Sequence, residues 1–137
     1  KMVGIDGGTG FDGRKGKAKV WTETGKGWTA GVVKAAEKML EVTKNDAIEL
    51  AVMMDISAAC GSQVIYSGNR FAENKTYQIG AGVSAAQLMK NGFKVISQRD
   101  FASLECLYSK IDPNYMVDKN LKDHHETDWY KAYFKGL

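Results

Sequence analysis

Cys60 and Cys106 are the chain's two thiols. A thiolate is the side chain best suited both to attack an electrophile and to hold a soft metal. The two lie far apart with no Cys-x-x-Cys pair, which argues against a disulfide framework and for a reducing compartment, cytoplasm or organelle matrix. Cys60 stands in a loop of small residues, Ser57-Ala58-Ala59-Cys60-Gly61-Ser62. Cys106 falls among Phe101, Leu104, Leu107 and Tyr108 and reads as a small buried residue.

Two glycine motifs and one histidine cluster are the other candidates. Gly80-Ala81-Gly82-Val83-Ser84 lets backbone approach closely and opens a helix, so its amides could face an anion or a polar ligand. A tight strand-to-helix connection is the favoured reading, with Ser84 as a capping group, since no base can be assigned to it. Gly8-Thr9-Gly10-Phe11-Asp12-Gly13 matches G-x-G-x-x-G, but charged, glycine-rich chain comes after it where a dinucleotide site needs a helix, so it reads as a turn. His124, His125, Glu126 and Asp128 have metal-ligand composition. Adjacent histidines point in different directions, so a solvated tail is expected. Trp129 with Tyr133 and Tyr130 with Phe134 are i, i+4 pairs, and a terminal helix carrying them docks on its own domain or on a partner.

The frame that must hold these residues is small. The 137 residues, 44% hydrophobic and 26% charged with a net charge of +3, allow one modest core. No apolar run approaches the roughly 18–20 residues of a membrane span. The lysines are dispersed, so nothing supports nucleic-acid binding, and the sequon Asn74-Lys75-Thr76 is a chance match. Ala18 to Thr22 alternates as a short strand. Thr29 is a suitable N-cap for an amphipathic helix to Asn45, with Val32, Ala35, Ala36, Met39, Leu40 and Thr43 on one face. Ile48 to Met54 has the length of a buried strand. Val64 to Tyr66 and Tyr77 to Ile79 suggest two short strands, Val83 to Lys90 a helix stopped at Asn91-Gly92, and Phe93 to Ile96 a second buried strand. Asp100 is positioned to cap a third helix, and Pro113 ends the regular part.

In order and spacing these segments resemble an iron–sulfur desulfidase family that includes 2-thiouracil desulfidase. The segment Ala51 to Gly61 is similar to that family's strand and Ser-Pro-Ser-Cys-Gly loop. Gly80-Ala81-Gly82-Val83-Ser84-Ala85-Ala86, then Asn91-Gly92 and its strand, is similar to the family's Gly-Asp-Gly-Val-Thr-Ala-Ala segment and subsequent Asn-Gly strand. The glycine-rich start from Gly7 and the helix from Thr29 fit the family's middle, so the resemblance runs from about Val3 to Phe101. It implies a cubane cluster held by three cysteines, with one iron open to take sulfur from a thiolated base. Cys60 matches the family's last ligand, and the other two belong to an N-terminal region without a counterpart here. The family's serine before that cysteine is Ala59, its motif proline is Ala58, and the acidic residue ahead of the loop is kept as Asp55.

The expected fold is α/β, a small three-layer Rossmann-like domain with a mostly parallel sheet over residues 1–112, truncated at its N-terminus relative to the family. A tail over residues 113–137 carries the aromatic helix. If a family strand is missing, a sheet edge is left open and something must cover it. The expected role is a non-catalytic subunit or interaction module, with other protein subunits as partners through Trp129, Tyr130, Tyr133 and Phe134. No cofactor is expected for this chain alone. The alternative is the C-terminal part of a desulfidase, with a 4Fe-4S cluster on Cys60 once the missing ligands are supplied and a small thiolated base as substrate. A weaker third reading is a small-ligand domain built on Gly80, Gly82 and Ser84.

Overall fold

The computed structural model describes residues 3–13 and 15–135, and the chain divides into two compact units, 1–96 and 97–137. In the first unit, β1 (Val3–Asp6) pairs antiparallel with β2 (Lys19–Thr22) across the one-turn helix α1 (Gly10–Gly13), with Ile5 opposite Val20. These four-residue strands persist because every second side chain enters one cluster: Ile5, Ala18 and Val20 pack with Ile65, Ala58 and Val83. β4 (Val64–Ser67) and β5 (Thr76–Ile79) form a second antiparallel pair, joined to the first where the Gly68 amide donates to the Ile5 carbonyl at 2.8 Å. β3 (Leu50–Met53) pairs with β6 (Lys94–Ser97) in parallel. A parallel pair requires a long crossover, and the chain between them includes α3 (Val83–Lys90). The α/β class stands, with one mixed sheet, which holds the two antiparallel pairs, and one parallel sheet of β3 and β6.

α2 (Thr29–Asn45) buries Val32, Ala36 and Thr43 and half-buries Met39 and Leu40, as its period predicts, while Ala35 falls outside the stripe. Thr29 is not its cap. Its hydroxyl accepts from the Val20 amide at 2.9 Å and fastens the helix to β2. α3 is buried at every residue from Val83 to Leu88, which its alanines and serine permit by letting neighbours approach closely. Gly92, at φ 83°, takes the left-handed position that stops it, as expected for Asn91-Gly92. The run around β3 is only half a buried strand: Ala51 and Met53 pack inward, whereas Val52 and Met54 are 46% and 62% exposed.

The second unit is built on α4 (Phe101–Ile111), the 3-10 turn η1 (His124–Glu126) and α5 (Asp128–Tyr133). Asp100 occupies the N-cap position of α4 without capping it: its carboxylate accepts from the amides of Ser97 and His124, at 2.8 and 3.0 Å. The cap comes from Asp123, which takes the Ser103 amide at 2.8 Å and its hydroxyl at 2.6 Å. Glu105, buried on α4, ties down the irregular stretch by accepting from the Tyr115 hydroxyl and the Asp118 amide. Cys106 is exposed, contrary to the buried reading, because the next helical position after Glu105 turns away from the face that Glu105 buries. His125, Glu126 and Asp128 are exposed as expected for a solvated tail, and His124 departs from that expectation. It is 2% exposed, with Trp129 stacked on its ring at 5.5 Å and Tyr130 edge-on at 5.7 Å.

Candidate functional site

The Cys60 loop is assembled around a buried acid. Asp55, 4% exposed at the end of β3, uses one carboxylate oxygen to accept from the amides of Ser62, Gln63 and Val64, at 3.0, 3.3 and 3.2 Å. This closes the chain from 55 to 64 on itself. Ile56 lies within the closure at φ 56°, a left-handed conformation that a β-branched side chain adopts only when its surroundings enforce it. Its amide donates to the Val64 carbonyl at 3.0 Å. Next to it, the Ser57 hydroxyl oxygen accepts from the amides of Ala59 and Cys60, at 3.3 and 3.2 Å, and the Gly61 amide returns to the Ser57 carbonyl at 2.8 Å. A Cβ on Gly61 would lie 2.5 Å from the Val64 carbonyl oxygen, so the turn at the cysteine admits no larger residue.

The start of α3 holds the other side of this loop. The amides of Gly82, Val83 and Ser84 donate to the carbonyls of Gly61, Ala58 and Ala59, at 2.7, 2.9 and 2.7 Å, and the Gly80 amide donates to Gln63 at 2.8 Å. The amides of Gly80, Gly82 and Ser84, read from the sequence as able to face an anion, are thus engaged by carbonyls of residues 59–63. Gly82 makes the approach possible, since a Cβ there would stand 2.6 Å from the Ala59 carbonyl carbon. Gly10 packs against Gly82 in turn, its amide on the Ala81 carbonyl at 2.7 Å. The G-x-G-x-x-G stretch therefore braces α3. Asp12 closes that turn by accepting from the Thr9 amide and hydroxyl, hydrogen bonds that lower its pKa.

The Cys60 thiol is half-buried. Burial pushes its pKa above the ordinary cysteine range, and a hydrogen bond with Ser57 partly offsets this. Such a thiol stays protonated near neutral pH, so binding a metal would have to displace its proton. Cys60 helps line an apolar cavity of about 280 Å³ with Met39, Thr43, Ala51, Met53, Met54 and Leu88, among others. Beside it in sequence, the Ser62 hydroxyl is buried with no hydrogen-bond partner among the described residues, as is the Gln87 side-chain oxygen. The sequence offers no signal for either orphan.

The donor set does not fit an iron–sulfur cluster by itself. A cubane with one open iron needs three thiolates, and this chain has Cys60 with one other cysteine, exposed and in the second unit. Among the described residues, the one group of three side chains close enough to share an ion is Asp100, Asp123 and His125. It excludes Cys60, and the first two carboxylates are already engaged by backbone amides. Of the histidine cluster read from the sequence, the turn brings His125 alone to that group.

The family model of 2-thiouracil desulfurase matches residues 5–100. The uncharacterized protein YbbK of Bacillus subtilis (strain 168) is 35% identical over 96 residues, 70% of this chain and 62% of that protein. Among solved structures, the [4Fe-4S]-dependent thiouracil desulfidase TudS superposes with a TM-score of 0.57 at 30% identity, covering 67% of this chain and 59% of that one. The chain thus spans about three-fifths of the length of the relatives it matches. No helix among the described residues is long and apolar enough to cross a membrane.

Proposed function

The chain belongs to the 2-thiouracil desulfurase family, and from that premise we propose that it supplies the cysteine-loop part of a desulfidase-type centre and is inactive by itself. The observation that carries this reading is the construction of the Cys60 loop. A buried carboxylate, a serine hydroxyl and the first turn of a buried helix are all committed to holding one thiol beside an apolar cavity. A structural role alone would not ask for a strained Ile56 and closely packed glycines around a cysteine. One thiolate is too few to retain a cluster, so the remaining thiolates come from polypeptide outside these 137 residues. The substrate class that the family implies is a small thiolated base.

The second reading is a non-catalytic interaction module in which the loop persists as scaffold. It is favoured by Ala59, whose methyl group stands where the family motif carries a hydroxyl. Anaerobic reconstitution with iron and sulfide separates the two. The experiment uses the chain alone and the chain mixed with the part of the Bacillus relative that lies outside the match. On the first reading iron is retained only in the mixture, and Cys60→Ala abolishes retention. On the second, neither sample retains iron.

A further inference from the structure

A cavity of about 490 Å³ lies wholly within the second unit, lined by Gln98, Arg99, Phe101, His124, Thr127 and Trp129. Its size falls in the range of small-molecule sites. Four of its six lining residues come after residue 100, where the family match ends.

One buried carboxylate ties its two walls together. Asp100 accepts from the Ser97 amide with one oxygen and from the His124 amide with the other. The turn that presents Gln98, Arg99 and Phe101 is further held by the Arg99 amide on the Ser97 hydroxyl oxygen at 2.9 Å and the Asp100 amide on the Ser97 carbonyl at 3.0 Å. The opposite wall is equally fixed. Trp129 stacks near parallel on His124, at 5.5 Å, and on Tyr133, at 5.7 Å. Phe101 is 49% exposed.

Arg99 is the one cation among the lining residues. It makes no ion pair among the described residues. An exposed aromatic ring and a guanidinium without an ion pair among the described residues border one cavity, a pairing that suits a ligand carrying both a ring and a negative charge.

We propose that this cavity binds a small planar aromatic anion, its ring stacked on Phe101 and its phosphate or carboxylate paired with Arg99. The proposal does not rest on the desulfidase reading, and Cys60→Ala should leave binding intact.

Calorimetric titration of the full chain tests it with four probes: uridine 5′-monophosphate, benzoate, uracil and inorganic phosphate. A ring anion should bind more tightly than uracil or phosphate, with Arg99→Gln and Phe101→Ala each weakening it about tenfold. Preference for uridine 5′-monophosphate or for benzoate identifies the anion as phosphate or carboxylate. Both substituted side chains are exposed, so an unchanged urea midpoint verifies the fold. The proposal is overturned if uracil binds as well as the ring anions, if Arg99→Gln changes nothing, or if no ring anion binds at millimolar concentration.

Discussion

Replacing Asp55 by alanine should loosen the Cys60 loop at a cost that can be worked out from its bonds. One oxygen accepts from the amides of Ser62, Gln63 and Val64, and the residue is buried. Leaving a buried amide without a partner costs roughly 1–3 kcal/mol, so three would cost about 3–9 kcal/mol if nothing moved. The loop will relax to wet some of them, and about 3–5 kcal/mol is the expected loss. That is a large share of a domain stability of roughly 5–15 kcal/mol. Asp55→Asn keeps an acceptor oxygen in place and gives up only its charge, which should cost about 1–2 kcal/mol. Urea unfolding measures both. With a slope of about 2 kcal/mol per molar, the alanine variant's midpoint should fall by roughly 1.5–2.5 M at unchanged slope. Alkylation of Cys60 by iodoacetamide should accelerate in the same variant. A loss below about 1 kcal/mol in Asp55→Ala would refute the idea that this carboxylate organises the loop.

Two further predictions concern the same site. Burial raises the Cys60 pKa, so in the wild type Cys60 should alkylate more slowly than exposed Cys106 at neutral pH and catch up only in alkaline solution. The folded state then holds the thiol proton more tightly than the unfolded state does. Its contribution to stability is full below the unfolded cysteine pKa and is lost as pH rises through the folded value. Equal rates at pH 7, by mass spectrometry of the two peptides, would contradict this. Gly82→Ala pushes a methyl group into the Ala59 carbonyl and should cost more than about 2 kcal/mol. Gly92→Ala meets no atom within 4 Å and pays only for its left-handed backbone, roughly 1 kcal/mol. Thermal unfolding that ranks them the other way would count against the close packing of α3 on the loop.

The longer helices are legible in the sequence because their signals are local, whereas the one-turn α1 falls where the sequence reads as a turn. α3 and α4 run over the residues that periodicity and the Asn91-Gly92 stop indicate, and α2 ends at Asn45 as its pattern predicts. What a sequence cannot convey is which partner a polar group chooses. Thr29 and Asp100 look like caps, yet one serves β2 and the other bridges to His124, 24 positions away. The amides of Gly82, Val83 and Ser84 look available to a ligand until the carbonyls of the cysteine loop are placed against them. β1 is invisible because Val-Gly-Ile-Asp carries too few side chains to show a period. His124 has the sequence context of a solvated residue because its burial depends on Trp129 and Tyr130 folding back over it. Cys60 itself is marked by its motif, while the Asp55 hub and the strain at Ile56 exist only in the closed loop.

The most direct test of the central claim is the iron and acid-labile sulfide content of the protein purified anaerobically from its native source, together with its intact mass. No iron should accompany a species of 15.1 kDa, and iron should appear only with a longer chain or a second polypeptide bringing further thiolates to Cys60. Stoichiometric iron and sulfide at 15.1 kDa would contradict it, because this chain's own residues would then be completing the site.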